Sequence, residues 1–562
     1  CNVYNYLGTN PAGLIAQLEE AIHRDEKVFI CCSGQKAKSR FGTRILEARL
    51  AQRFPSKRIL RIDSESVADP NHPAFGCTTE LNQVLDRYDI VIASPSLETG
   101  VSIDIENHFD SVWAILQGVV PENSARQALA RVREPVDRHI WVAPHGLGRI
   151  GNGSTNPKSL LASQHKLAKA NIQALKDADF EDLDTGFDAP SLRAWVRMAV
   201  RINAGMIRYR ESVLAGLKGE GHKIIDVADS DGDETLEALN QVRDTEHQKE
   251  AEAIAGAAAI SQSDFEKLNE KRSKTQEERY QERKHALGLR YGIDIAPDLV
   301  IKDDDGWHPQ LQMHYYLVVG REHLPARDKK RLAAIKKQGE GAAWMPDLNR
   351  SLISSSIAAL ENLGVLALLD TQREFKGSDD DLQAMAQKAI ACSWQIKTAL
   401  DIGIGEKDSP IAIAQKLLGK LGLRLTFLRK EGARGKQHRI YGFTAPSDGR
   451  DEVFAAWMAR DEAAKQAEAQ NVSSCDTVVT PGNKEYLNNL PDYQTPQTTN
   501  EGSEAGDAQS LVGRALRVVR GFGKGTTDWV VSQADGFLKT AQGWHIALSE
   551  LGNWYEWTEV IA

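Results

Sequence analysis

The chain has 562 residues, enough for three or four domains. Apolar residues make up 41% and charged residues 26%, which excludes collagen, a disulfide mini-protein and a wholly disordered chain. The formal charge, 69 minus 78 or −9, argues against a uniformly basic nucleic-acid coat but leaves room for a local basic patch. No run of about 18 consecutive apolar residues predicts a membrane span. Cys1, Cys31, Cys32, Cys77, Cys392 and Cys475 form no CxxC pair, so a reduced, cytoplasmic setting is expected.

Residues 27–143 alternate strand and helix patterns. Lys27–Cys32, Arg58–Ile62, Asp89–Ala93, Ser111–Leu116 and His139–Ala143 are short apolar runs, the mark of buried parallel strands. Helical spacing covers Lys36–Arg53, Leu81–Leu85 and Ser124–Arg133. Such alternation predicts a doubly wound α/β domain over 1–150. A helical region over 151–295 follows, with a long charged helix or helical hairpin within Glu234–Arg283. Leu299–Ile301 and Leu311–Val319 flank the turn Asp303-Asp304-Asp305-Gly306 and predict a β-hairpin connection over 296–330. Residues 331–460 return to helices and end in strand–turn–strand. The polar stretch 461–510 predicts a disordered linker. Short strands with Gly turns and aromatics predict a small β-barrel-like domain over 511–562.

Two segments concentrate chemistry at strand ends. Ser94–Asp104 is a hydroxyl- and glycine-bearing loop straight after the third predicted strand. In open α/β sheets ligands bind at carboxyl ends of strands, where such a loop can approach a phosphate backbone. Gln127-Ala128-Leu129-Ala130-Arg131-Val132-Arg133 precedes the last strand. Arginines two apart on a helix do not share a face, so at least one is expected to point into a cleft. There it can stabilise charge on a transferred phosphoryl group.

These segments resemble motifs V and VI of the second RecA-like domain of superfamily 2 helicases. The Gln-x-x-x-Arg-x-Arg and Thr-Gly-x-Ser-x-Asp forms are closest to the herpesvirus origin-binding protein type, and Cys32-Ser33-Gly34 sits where motif IV sits. The wider chain, with its helical middle, its Trp307-His308-Pro309 hairpin and its Gly-Lys-rich tail, is similar to large plasmid replication proteins of cyanobacteria. The resemblance implies that Gln127 and Arg131 contact nucleotide, with Arg133 a second candidate arginine finger. It implies that Gly100 and Asp104 couple nucleotide to DNA, and that Ser33, Ser94 and Thr99 touch the phosphate backbone. ATP and Mg2+ would be held mainly by a first motor domain. No GxxxxGK[ST] loop precedes residue 27, and with Cys1 first, that half is expected to lie upstream.

A second signal is basic. Arg424, Arg429, Lys430, Arg434, Lys436 and Arg439 face one acid, Glu431, a balance of six minus one or +5. With the preceding helix Ile411–Leu421 they outline a winged-helix DNA-binding unit, and Asn349–Leu369 outlines a weaker second one. Asp303–Asp305 reads as a turn rather than a metal site, His308 and His314 as core or surface residues, and the tail tryptophans as core. The expected function is the C-terminal part of an ATP-dependent helicase in plasmid replication, acting on single-stranded DNA. The alternative is a non-catalytic DNA-binding initiator on a degenerate helicase-like scaffold.

Overall fold

Apolar runs without alternation need cover on both faces, and only the centre of a parallel sheet supplies it. In the computed structural model Val28–Cys32, Ile90–Ala93 and Ser111–Leu116 are buried at every position. The structure describes residues 1–95, 102–164, 189–228, 232–338, 352–432 and 437–475, and five short strands between 515 and 557. The chain divides into two units, one ending at 470 and one built from the tail beyond it.

The first unit opens on a seven-stranded sheet. Its strands are β1 (Asn2–Tyr6), β2 (Val28–Cys32), β3 (Ile59–Ile62), β4 (Ile90–Ala93), β5 (Ser111–Leu116), β6 (Asp137–Val142) and β7 (Lys223–Val227). The order is β3-β4-β2-β5-β6-β1-β7, and every pair is parallel. Alternate residues feed two cores. Val28, Ile30, Ile92 and Trp113 pack with helices Ala12–His23 and Thr43–Arg53. Phe29, Cys31, Val91 and Val112 pack with Glu122–Leu129 and Tyr209–Gly219. The α/β expectation therefore holds, with two strands added. β1 is short and half polar; β7 is an edge strand with no fully buried position, and its residues fall in a stretch whose sequence pattern is helical on both sides.

Parallel register sets Trp113, His139 and Tyr4 abreast on β5, β6 and β1. Their rings stack at 4.0 and 4.8 Å, with planes within 12°. Burial pushes the His139 imidazole down to about 4.

The remainder of the first unit is mainly helical; Leu160, Val196 and Ala199 form a small separate cluster, and a larger apolar core runs from Ala251 to Trp457. Three helices, Asp233–Gly256, Gln262–Glu270 and Gln276–Tyr291, replace the expected long helix or hairpin. The hairpin expected over 296–330 is instead two helices, Pro297–Asp304 and Trp307–Val318. Trp307, Leu311 and Tyr315 are buried at fourfold spacing, a helical period that the short apolar runs concealed. Asp303 is no turn residue. It is buried and accepts hydrogen bonds from Arg290 at 2.6 Å, from the Tyr291 hydroxyl at 2.8 Å, and from Arg283. Burial alone would raise its carboxyl, but these donors and the charge of Arg283 hold it below its ordinary range. His308 and His314 are half-buried and pack edge-on against the core residues Trp457 and Phe454.

Helix Ser354–Asn362 is followed by a 3-10 turn, Val365–Leu369, so the expected second helix–strand unit is absent there; residues 349–351 lie outside the described residues. Then come β8 (Glu374–Lys376), helices Asp380–Ala391, Ser393–Leu400 and Pro410–Gly419, β9 (Leu425–Glu431) and β10 (His438–Phe443). These strands pair antiparallel in the order β8-β10-β9. A helix spans Arg450–Cys475, so the first part of the expected linker is ordered. Its Ala, Glu, Lys and Gln content favours a helix as much as it disfavours a core; the rest of 461–510 lies outside the described residues. In the tail, β11 (Ala515–Val518), β12 (Thr527–Ala534), β13 (Phe537–Thr540), β14 (His545–Ala547) and β15 (Tyr555–Trp557) pair antiparallel in the order β14-β13-β12-β11-β15. No helix among the described residues is long and apolar enough to cross a membrane.

A free imidazole titrates near 6.5, so between about 6.5 and 4 the unfolded chain binds a proton that folded His139 refuses. Stability contributed by neutral His139 is complete above that window and falls as pH drops through it. Between pH 7 and pH 5 the loss should be about 2 kcal/mol. Urea midpoints of the parent and His139→Phe at both pH values check this; an equal pH slope in the two proteins would exclude it.

Candidate functional site

The chain leaves β2 outward to β3, returns to β4, then crosses β2 to reach β5. Such a reversal opens a crevice at the carboxyl ends of the strands, where ligands bind in open α/β sheets. Here the crevice is lined by Cys32 at the end of β2 and Ser33 after it, Ser94 and Pro95 after β4, Leu116 at the end of β5, and Arg131.

Arg131 reaches the crevice through backbone geometry. The helix expected over Ser124–Arg133 ends at Leu129, so Arg131–Arg133 is not helical. Instead Ile103 N–H donates to Arg131 O at 2.9 Å and Arg133 N–H donates to Ile103 O at 3.0 Å. Ile103 and Val132 form a parallel bridge. The bridge takes Val132 off the helix, so the helical argument for separating the two arginines does not apply here. Buried Val132 anchors the segment while half-buried Arg131 and exposed Arg133 flank it. Arg133 Nε donates to Ser102 Oγ at 3.0 Å, and Ser102 Oγ donates to Asp104 at 2.6 Å. Burial pulls the Arg131 guanidinium below its ordinary value. It also pushes the Cys31 thiol up to about 12, against the charges of Arg131 and Arg138.

Arg138, which carries no motif in the sequence, holds this loop. It is 4% exposed. Its guanidinium donates to the carbonyls of Val136 at 2.8 Å, Val132 at 3.0 Å and Leu129 at 3.4 Å. A lone arginine opening a strand gives no signal beyond its charge.

The structure thus brings Ser33, Ser94 and Arg131 to one crevice, and Arg133 and Asp104 to one hydrogen-bonded chain beside it. The Ser33 hydroxyl is engaged: it donates to Ile115 O at 3.0 Å and accepts from Gln117 N–H at 3.1 Å, suturing β2 to β5. Gln127 is exposed on its helix and does not line the crevice. Thr99 and Gly100 lie outside the described residues, as do Arg434 and Lys436.

The basic ribbon β9–β10 divides its cations into two classes. Arg429 makes a two-pronged ion pair with Glu374 of β8 at 2.6 and 2.8 Å, and Lys376 pairs with Glu431 at 3.1 Å. Lys430 and Arg439 lie directly opposite each other and are both exposed. Like charges in that position repel, unless an anion lies across them. Beyond the Arg429–Ile440 pair and a β-bulge, Phe427 opposes Tyr441, with rings edge-on at 6.0 Å and Phe427 48% exposed. Two cations and two aromatic rings on one ribbon suit a phosphate backbone with stacked bases.

The chain is 38% identical over 470 residues to an uncharacterized protein of Picosynechococcus sp., covering 82% of this chain and 46% of that protein. It is 36% identical over 64 residues to an uncharacterized protein of Ostreid herpesvirus 1, covering 10% of this chain and 25% of that protein. The chain therefore spans less than half the length of either relative. No family model matches it.

Arg138→Met should strip the Leu129, Val132 and Val136 carbonyls of their donor. Unsatisfied buried groups of this kind cost about 1–3 kcal/mol each, partly offset by losing a buried charge. A net destabilisation of about 2–4 kcal/mol by chemical denaturation is expected; a loss below about 0.5 kcal/mol would show that the clamp is dispensable.

Proposed function

We propose that this chain is the C-terminal part of an ATP-dependent DNA helicase of plasmid replication, working in the cytoplasm. Its α/β domain would be the second RecA-like motor domain. The observation that carries the reading is the Ile103–Val132 bridge, which sets the two helicase-like segments side by side at the carboxyl-end crevice with Arg131 on its rim. Among the described residues lining that crevice there is no carboxylate. The crevice suits the arginine side of a shared ATP site, and the acidic ligands for Mg2+ would belong to a preceding motor domain. Arg131 would stabilise negative charge on the transferred phosphoryl group, with Arg133 beside it. Relatives from a cyanobacterium and a herpesvirus accord with the resemblance.

The region Ser354–Phe443 supports a winged-helix-like reading. A helix, a short strand, further helices and a basic ribbon follow in that order, with the first strand paired to the last. The Lys430, Arg439, Phe427 and Tyr441 cluster would contact single-stranded DNA, joined by Arg434 and Lys436. The tail strands are in keeping with a small β-barrel-like module. The ribbon needs no nucleotide, which also suits the second reading, a non-catalytic DNA-binding initiator.

Arg131→Ala, in the longer protein that includes the motor half, should cut ATP turnover about 10³-fold, the lower end for such fingers, and leave DNA binding intact. Unchanged turnover in a protein that hydrolyses ATP would remove the finger assignment. No turnover even in the parent would favour the initiator.

Arg439→Glu turns a like-charge cross-strand pair into an opposite pair. Stability should rise by about 0.2–1 kcal/mol. Affinity for a single-stranded oligonucleotide should nevertheless fall, and the slope of log affinity against log salt should flatten by about 0.7 for each phosphate no longer neutralised. An unchanged affinity and slope would make the ribbon a solvated surface.

A further inference from the structure

Away from the crevice and the basic ribbon, the turn Arg321–His323 meets the helix Arg450–Cys475. There Glu322, His323 and Glu462 each offer one ligand atom, all within 4.8 Å of one another. His323 is 6% exposed, and its Nε2 is buried without a hydrogen-bond partner. Buried polar atoms in folded proteins nearly always have one. The nitrogen looks toward Glu462 Oε1 at 3.4 Å and Glu322 Oε1 at 4.0 Å. Two ligands each about 2.0–2.2 Å from a tetrahedral zinc ion stand roughly 3.3–3.6 Å apart. The His323–Glu462 separation is thus the edge of such a tetrahedron. Glu322 is exposed, so a small rotation of its side chain closes the rest.

The surroundings fit as well. Lys465, three residues after Glu462, holds the other oxygen of Glu322, Oε2, at 2.7 Å. Ligating carboxylates are commonly oriented by such a second contact. One imidazole and two carboxylates form a mixed nitrogen and oxygen set, suited to zinc and its first-row neighbours rather than to calcium or magnesium, which take oxygen.

We propose that Glu322, His323 and Glu462 bind a first-row divalent transition metal ion, Zn2+ in the first instance, with one coordination position left to water. The ion pins the long helix to the turn. It does not depend on the helicase reading, since none of its ligands touches nucleotide or DNA in that reading.

The test uses the whole chain with Cys1→Ser, because Cys1 Sγ lies 2.9 Å from His222 Nδ1 and that pair could take zinc by itself. After dialysis against chelator, the protein is titrated with Zn2+ alone and, separately, with Co2+. One high-affinity ion per chain is expected, together with a higher thermal midpoint and a Co2+ absorption spectrum of tetrahedral intensity. Glu462→Gln should weaken binding at least about tenfold, since even disturbing a group that merely orients a ligand has that effect, and should abolish the thermal shift. His323→Gln should do the same while keeping a polar side chain at the buried position. No binding in the parent, or equal affinity in parent and both variants, would overturn the site.

Discussion

Two backbone hydrogen bonds, from Ile103 to Arg131 and from Arg133 to Ile103, fasten the segment that carries both candidate arginines to the loop after β4. Without them Arg131–Arg133 would be an unanchored exit from a short helix. With them Val132 is buried in a parallel bridge, Arg131 lines the crevice and Arg133 reaches the Ser102 hydroxyl. The bridge itself depends on the clamp beneath it. Arg138 directs its donors at three carbonyls of the same loop, so one buried charge holds the shape in which the half-buried Arg131 is presented. A guanidinium suits this role because its planar fork carries five donors and keeps its charge when buried.

The fold was legible where burial is uniform. Val28–Cys32, Ile90–Ala93 and Ser111–Leu116 have no polar face, and only a sheet covered on both sides accommodates them. It was illegible where tertiary packing overrides a local pattern. Leu299–Ile301 and Leu311–Val319 read as strands around an Asp-Gly turn, yet Asp303 is the acceptor at the middle of an Arg283–Arg290–Tyr291 cluster. That cluster draws on residues up to 20 positions earlier, which no window of local periodicity contains. β7 is an edge strand whose partner, β1, lies more than 200 residues before it in sequence. The site divides the same way. The types and spacing of Ser94, Arg131 and Arg133 marked their segments, whereas Arg138 and the engaged state of Ser33 emerge only from the three-dimensional arrangement.

Charge on the basic ribbon follows a selective rule that composition could not reveal. In a chain of net charge −9 carboxylates are plentiful, and Arg429 and Lys376 both have one. Among the described residues Lys430 and Arg439 have none, though the register sets them face to face. Exposed pairs are individually weak, so stability would lose little if either residue were neutral. What the arrangement supplies is a local field that an acidic protein otherwise lacks, placed beside an exposed phenylalanine. In the reading proposed above, a polyanion with stacking bases would relieve the repulsion and cover the ring in one step. In that reading the opposing like charges of the free protein would favour the bound state, and the gain would be larger at low salt, where both the repulsion and its relief are least screened.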